Sequence, residues 1–107
     1  MKTAYIAGKI TGECESIKLL MKCRQKFKDA ENKIKATGDY MCFYGLKINE
    51  GLINSGGAPW STYMKNDIKT LLECDVVFVL PDWKNSRGAN IEVNLAIDLG
   101  IKVVFLS

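Results

Sequence analysis

Apolar residues fall along this chain in two alternating patterns, short continuous runs and longer stretches at helical spacing. Thr3 to Ala7 is a short β-prone run that ends at Gly8, and Lys9-Ile10-Thr11-Gly12 has the glycines and hydroxyl of a tight strand-to-helix turn. From Glu13 to about Ala36, the residues Ile17, Leu20, Met21, Phe27 and Ile34 recur among lysines, which predicts a long amphipathic helix ended by Gly38. Tyr40 to Phe43 reads as a second strand. Tyr44 to Ala58, rich in glycine and asparagine, reads as a loop long enough to be a functional lid or an insertion against a partner. Pro59-Trp60-Ser61 opens a helix with Met64, Ile68, Leu71 and Leu72 on one face and Tyr63, Asn66 and Asp67 on the other. Asp75 to Leu80 is an unbroken apolar run after its first residue, as expected of a parallel strand covered on both faces, and Asp75 is expected to tether its start to backbone amides. A polar loop, Pro81 to Arg87, leads into a helix with Ala89, Val93, Ala96, Ile97 and Gly100 at helical spacing. Ile101 to Leu106 forms the last strand.

The order is βαβαβαβ. Alternation of this kind predicts an α/β fold, a single domain over residues 1–107, with a four-stranded parallel sheet between layers of helices and right-handed crossovers. The expected strand order is the flavodoxin-like 2-1-3-4. Its switch point lies between strands one and three, so the loops after Ala7 and Leu80 face each other across one crevice. That brings the Gly8 to Gly12 turn close to Ser86 and Glu92. Glu92 falls about one turn into its helix, where the positive end of the helix dipole favours an ionised carboxylate.

At 107 residues and 48% hydrophobic content, the chain is long enough for one real core and too short for two. The net charge is +3, and its surplus lies between Lys18 and Lys35 with acids interspersed, the pattern of a solvated helix face and not of a nucleic-acid stripe. No stretch is apolar enough to span a bilayer, and the opening residues run straight into a strand-like segment, so the expected location is the cytoplasm. Cys14, Cys23, Cys42 and Cys74 lack zinc spacing and read as small reduced core residues. There is no histidine. That excludes Ser-His-Asp and Cys-His catalysis and leaves Asp, Glu, Tyr, Lys and Cys as acids, bases and nucleophiles, with no metal and no organic cofactor called for.

Four features converge on the crevice: Tyr5 with the turn Gly8 to Gly12, the pair Asn66-Asp67, the segment Asp82 to Arg87, and Glu92. At these positions the chain resembles the nucleoside 2-deoxyribosyltransferase family and its relatives, the nucleoside 5′-monophosphate N-glycosidases. Tyr5-Ile6-Ala7-Gly8-Lys9-Ile10-Thr11-Gly12 is similar to their Tyr-x-x-Gly-x-Ile-x-Gly opening, and Asn66-Asp67-Ile68 to their aspartate before the central strand. Ser86-Arg87-Gly88-Ala89-Asn90-Ile91-Glu92 is similar to their Ser/Asp-x-Gly-x-x-x-Glu. The resemblance covers most of the chain and points to a small branch of that superfamily.

The resemblance implies that Glu92 attacks the anomeric carbon of a (deoxy)ribosyl group to form a glycosyl-enzyme, which water or another base resolves. A second acid must assist departure of the base, and Asp67 is the candidate. Tyr5 becomes a hydrogen-bonding neighbour that orients the nucleophile. The nucleotide-specific relatives bind a 5′-phosphate at the glycine turn and before the nucleophile helix. By position this assigns Gly8, Lys9, Ile10, Thr11, Gly12, Asp82, Trp83, Ser86, Arg87 and Gly88 to the substrate, with Lys9, Thr11, Ser86 and Arg87 supplying cations and hydroxyls. Trp60 and Trp83 could each stack on a base or pack under loops.

The transferases carry an acidic pair where this chain has Ser86 and Arg87, which favours an anionic substrate over a free nucleoside. Many small relatives have Asn-Pro after strand two, whereas this chain has Tyr44-Gly45. Asp82 stands where related loops have glycine. The resemblance also implies a homo-oligomer, dimer or tetramer, that completes the site. The rival expectations are a non-catalytic nucleotide-binding module and a flavodoxin-like FMN carrier, the latter disfavoured by a first turn poor in hydroxyls.

Overall fold

A computed structural model describes residues 1–10 and 17–107. The strands are β1 (Lys2–Ala7), β2 (Tyr40–Phe43), β3 (Val76–Val79) and β4 (Lys102–Phe105). They form one all-parallel sheet in the order β2-β1-β3-β4, the flavodoxin-like order expected. Tyr5 lies opposite Val77 and Ala7 opposite Val79, so β1 and β3 end together at the carboxyl edge.

Strand residues alternate between two apolar layers because successive side chains leave a strand on opposite sides. Ala4, Ile6, Val76 and Phe78 pack with Cys23, Phe27, Ala30 and Ile34 of helix α1 (Ile17–Thr37). Tyr5, Ala7, Val77 and Val79 pack with Leu71 of α4 (Trp60–Leu72) and with Val93 and Ala96 of α5 (Arg87–Asp98). Tyr5 therefore points toward α4 and α5. Asp75 ties the start of β3 to β1, its Oδ2 accepting from the Thr3 N–H at 2.9 Å. Cys23, Cys42 and Cys74 are buried free thiols, as expected, and Cys14 lies outside the described residues. No helix is long and apolar enough to cross a membrane among the described residues.

Some apolar positions face outward. Met21, Leu72 and Ile97 were expected in the core and are 62%, 51% and 53% exposed. On each helix a narrower stripe fills the available depth, and in α1 the small residues Cys23 and Ala30 take the sheet-facing positions. The expected helix start at Glu13 lies outside the described residues.

The larger correction concerns residues 44–58. Most of them are helical: α2 (Gly45–Ile48) and α3 (Glu50–Asn54) follow β2 almost at once, and Ser55 to Ala58 form the loop that remains. Tyr44 and Leu46 are buried, with the Tyr44 ring stacked on Phe27 at 5.2 Å between centroids, and this burial outweighs the glycine-rich composition. Lys47 holds α2 to α1 and the sheet, donating to Glu31 Oε2 at 3.2 Å and to the Cys42 carbonyl at 2.9 Å. Glu31 is itself buried and also meets Lys28 and Lys35. Burial opposes its charge, but Lys47 and Lys35 outweigh burial and hold its pKa below the ordinary value.

Gly8 ends β1 under Leu80, and a Cβ there would fall 2.6 Å from Leu80 Cδ1 and 2.9 Å from its Cβ. Gly8→Ala is expected to cost about 1–3 kcal/mol, since the backbone must move as well as the side chain. Gly51→Ala in α3, where nothing lies within 4 Å of the added methyl, is expected to be neutral or to stabilise by up to ~1 kcal/mol. Urea denaturation of both variants checks the contrast.

A candidate active site at the carboxyl edge of the sheet

Tyr5 is 1% exposed, Glu92 4% and Asp67 4%. They come from β1, α5 and α4. The Tyr5 hydroxyl donates to Glu92 Oε2 at 2.5 Å, a buried bond between residues 87 apart in sequence. Asp67 and Glu92 line one cleft of about 100 Å³ with Gly8, Ile10, Tyr63 and Ser86. Gly88 completes a wall where a Cβ would lie 3.0 Å from Met64 Sδ. A larger groove of about 770 Å³ lies between α1 and the ends of β3 and β4, but among the described residues Asp29 is its only side-chain carboxylate. The paired acids belong to the smaller cleft.

Burial dominates the electrostatics. It raises Glu92 to a pKa of about 8, the Tyr5 hydrogen bond works in the opposite direction, and the charge of Asp67 pushes it further up. The expectation of an ionised Glu92 at the helix N-terminus is thus corrected: the dipole is weaker than desolvation of a carboxylate this deeply buried. Burial also raises Tyr5 well above its ordinary value, with Glu92 and Asp67 adding to it, so the phenol remains a donor.

Asn49, at the end of α2, reaches Asp67. Its Nδ2 donates to Asp67 Oδ1 at 2.7 Å and to the Gly45 carbonyl at 2.9 Å, while its Oδ1 accepts from Asn66 Nδ2 at 3.0 Å. Asn66 thus supports Asp67 through Asn49.

Of the other anticipated residues, Ser86 caps α5, its Oγ accepting from the Ala89 N–H at 3.1 Å. Arg87 lies over the Trp60 ring at 4.5 Å, at the rim of the cleft that Trp60 helps to line. Asp82 departs from its anticipated role of substrate ligand. Its Oδ1 accepts the Lys9 N–H at 3.0 Å and its Oδ2 accepts Lys26 Nζ at 2.7 Å, so both oxygens tie the two crevice loops to α1. Burial resists its charge, but Lys26 and the Lys9 amide keep its pKa below the ordinary value. Lys9 contributes its backbone to the same clamp, its carbonyl accepting from Lys26 at 2.5 Å. Trp83 turns away from the cleft to pack against Phe105, ring centroids 5.8 Å apart, because its 3-10 turn (Trp83–Asn85) lies beside the β4 edge. Thr11 and Gly12 lie outside the described residues.

Three residues of the site were not anticipated: Asn49, Lys26 and Asn90. Asn90 Nδ2 donates to the carbonyls of Trp83, Lys84 and Ser86 and so fixes the loop before α5. Its place inside the stretch leading to Glu92 was the available signal. Asn49 was concealed by a segment that reads as loop, and Lys26 by a helix crowded with lysines.

The chain belongs to the family defined by a domain of unknown function (DUF4406), which it matches over residues 2–105. No match is found among curated proteins.

The Glu92 environment gives stability a pH dependence. The folded protein holds this proton up to about 8, whereas an unfolded carboxylate loses it near 4.5. Between those values the folded state binds more protons, so the contribution of this group is complete at low pH and falls by about 1.4 kcal/mol per pH unit as pH rises. Glu92→Gln is therefore expected to remove that decline and to be the more stable protein at pH 8. Urea denaturation of both proteins at pH 5, 6, 7 and 8 measures the two slopes.

Proposed function

We propose that this DUF4406 domain cleaves or transfers the N-glycosidic bond of a (deoxy)nucleoside 5′-monophosphate, with Glu92 as nucleophile and Asp67 as the acid that serves the departing base. The observation that carries this reading is the buried Tyr5–Glu92 hydrogen bond in the same small cleft as Asp67. Burying two carboxylates together costs stability and ordinarily has no structural return, whereas glycosyl transfer uses such a pair directly.

In the proposed reaction a Glu92 oxygen bonds to the anomeric carbon as the carbon–nitrogen bond breaks. The bonding electrons leave with the base, and the base takes a proton from Asp67. Water or a second base then displaces the Glu92 ester from the sugar, giving up its proton to the Asp67 carboxylate, which restores the acid. Tyr5 donates to Glu92 throughout and fixes the carboxyl group that attacks. The proton of the pair rests on Glu92, so the productive arrangement is the tautomer of the same singly protonated pair in which Asp67 carries it.

The 5′-phosphate is assigned to the rim at the start of α5, where Arg87 and the helix N-terminus favour an anion. A cleft of about 100 Å³ accommodates a sugar ring, while whole-ligand sites generally span ~300 Å³ or more. The base and phosphate thus extend past the cleft, which supports completion of the site by a second subunit. Three buried free thiols support a reducing, cytoplasmic setting.

Release of free base from a panel of 5′-ribonucleotides, 5′-deoxynucleotides and their unphosphorylated nucleosides tests the reading. Release is expected to require the phosphate and to fall at least about a thousandfold in Glu92→Ala. kcat/KM is expected to decline as pH rises past about 8, where the pair loses its last proton. Failure of every panel member to release base, with one of them still raising Tm, would replace the enzyme by a non-catalytic nucleotide-binding module.

A further inference from the structure

We propose that the groove between α1 and α2 is a second ligand site, one that takes a small-molecule phosphomonoester with a flat apolar body. It shares no lining residue with the cleft of Asp67 and Glu92, so the inference is independent of the proposed glycosidase.

The groove has a volume of about 390 Å³, within the range of whole small-ligand sites, where the candidate active cleft holds about 100 Å³. Tyr44 and Leu46 line its floor at 8% and 3% exposure, and Met21 stands exposed at its edge. The Tyr44 ring is stacked on Phe27 of α1 and so is fixed in place. A flat apolar body meets a rigid apolar surface there.

The charge around that floor is unbalanced. Arg24 and Lys28, four residues apart on α1, share one face of the helix, and Lys47 lines the groove from α2. Glu31, buried behind them, is shared by Lys28, Lys35 and Lys47, and Glu50 is the one acid on the lining among the described residues. Four cations therefore stand against two carboxylates, a surplus that matches the charge of a phosphomonoester dianion.

The hydrogen-bond donors agree with the charge. An ammonium carries three N–H groups and a guanidinium five. Lys28 uses one on Glu31, while Lys47 uses one on Glu31 and one on the Cys42 carbonyl. Both ammonium groups are thus held in position and keep donors for a ligand. Arg24 is part-buried and makes no ion pair or side-chain hydrogen bond among the described residues, so its whole planar fork is open to a phosphate. The larger groove on the other flank of α1 is less suited: its Lys26 is committed to the Lys9 carbonyl and Asp82, and its Gln25 to Asp29.

The test is a 15N NMR titration of the protein at pH 7.5 with phenyl phosphate, and with inorganic phosphate and benzyl alcohol as its head and body alone. Phenyl phosphate is expected to shift the amides of Tyr44, Leu46 and Lys47 saturably and to bind at least about tenfold more tightly than either part. Arg24→Met is expected to weaken it at least about tenfold. Arg24→Lys, which keeps the charge and loses the fork, is expected to weaken it less. Lys65→Met removes a cation of α4 outside the groove and is expected to change nothing.

Absence of a saturable shift at those amides would overturn the proposal, as would shifts confined to Gly88 and Ala89 beside Glu92. Equal affinity for phenyl phosphate and inorganic phosphate, or equal weakening in Arg24→Met and Lys65→Met, would mean adventitious attraction to a basic surface and overturn it as well. If Arg24→Met does not fold, Arg24→Lys decides: weaker binding supports the site and unchanged binding overturns it. None of the three probes has a glycosidic bond. An inert nucleotide panel therefore sinks the glycosidase and leaves this site standing, while a failed titration does the reverse.

Discussion

The Tyr5–Glu92 hydrogen bond depends on the register of the whole molecule. Tyr5 must occupy a β1 position that faces α4 and α5, β1 must pair with β3, and α5 must return over the sheet with Glu92 on its inner side. A one-residue slip of β1 would turn Tyr5 into the α1 layer and leave a buried carboxyl without this donor. The bond is thus compatible with one strand register and one helix orientation. Leu71, Val77, Val79, Val93 and Ala96 supply the apolar enclosure that gives it a low dielectric and gives Glu92 its raised proton affinity.

A second constraint operates around the first. The crevice is framed by segments that would be independent loops in a looser protein, and each is fixed by a long side chain or an amide. Lys26 and Asp82 bind the ends of β1 and β3 to α1, Asn90 binds the turn before α5, and Lys47 binds α2. These ties hold the backbone around the pair to one geometry, which a site acting through short hydrogen bonds requires. Precision at two carboxylates is therefore distributed over residues that carry none of the proposed chemistry.

Much of this was legible in the sequence, for physical reasons that differ by element. The strands could be read because a doubly covered parallel sheet imposes continuous apolar runs such as Val76 to Leu80, and alternation with helices then implies a parallel sheet, for which 2-1-3-4 is one of the common orders. Tyr5, Asp67 and Glu92 could be placed near one another because the switch point brings the ends of β1 and β3 together. Helix faces were less legible: Met21, Leu72 and Ile97 satisfy the spacing but face outward. The segment after β2 was concealed because Gly45, Asn49 and Gly51 are loop formers by local preference. Tertiary contacts to Phe27, Glu31 and Asp67 override that preference, and no local pattern reports them. Asp82 was misassigned for the complementary reason. An acid at a crevice loop resembles a ligand group until its two oxygens are found already committed.

Glu31 and Glu92 together show what separates a structural buried carboxylate from one with chemical use. Both are nearly inaccessible. Glu31 is surrounded by Lys28, Lys35 and Lys47, stays charged, and repays its burial by joining α1 to α2. Among the described residues, the groups acting on Glu92 are Tyr5 and Asp67, neither of them a cation, and its proton affinity rises instead. A site selected for stability alone would gain from a lysine beside Glu92 or from an apolar residue in its place. A carboxyl group kept buried, hydrogen-bonded, beside a like charge and open to a cleft is poised to exchange its proton near neutral pH. Acid–base and nucleophilic chemistry both need that property, and it costs the fold stability to keep it.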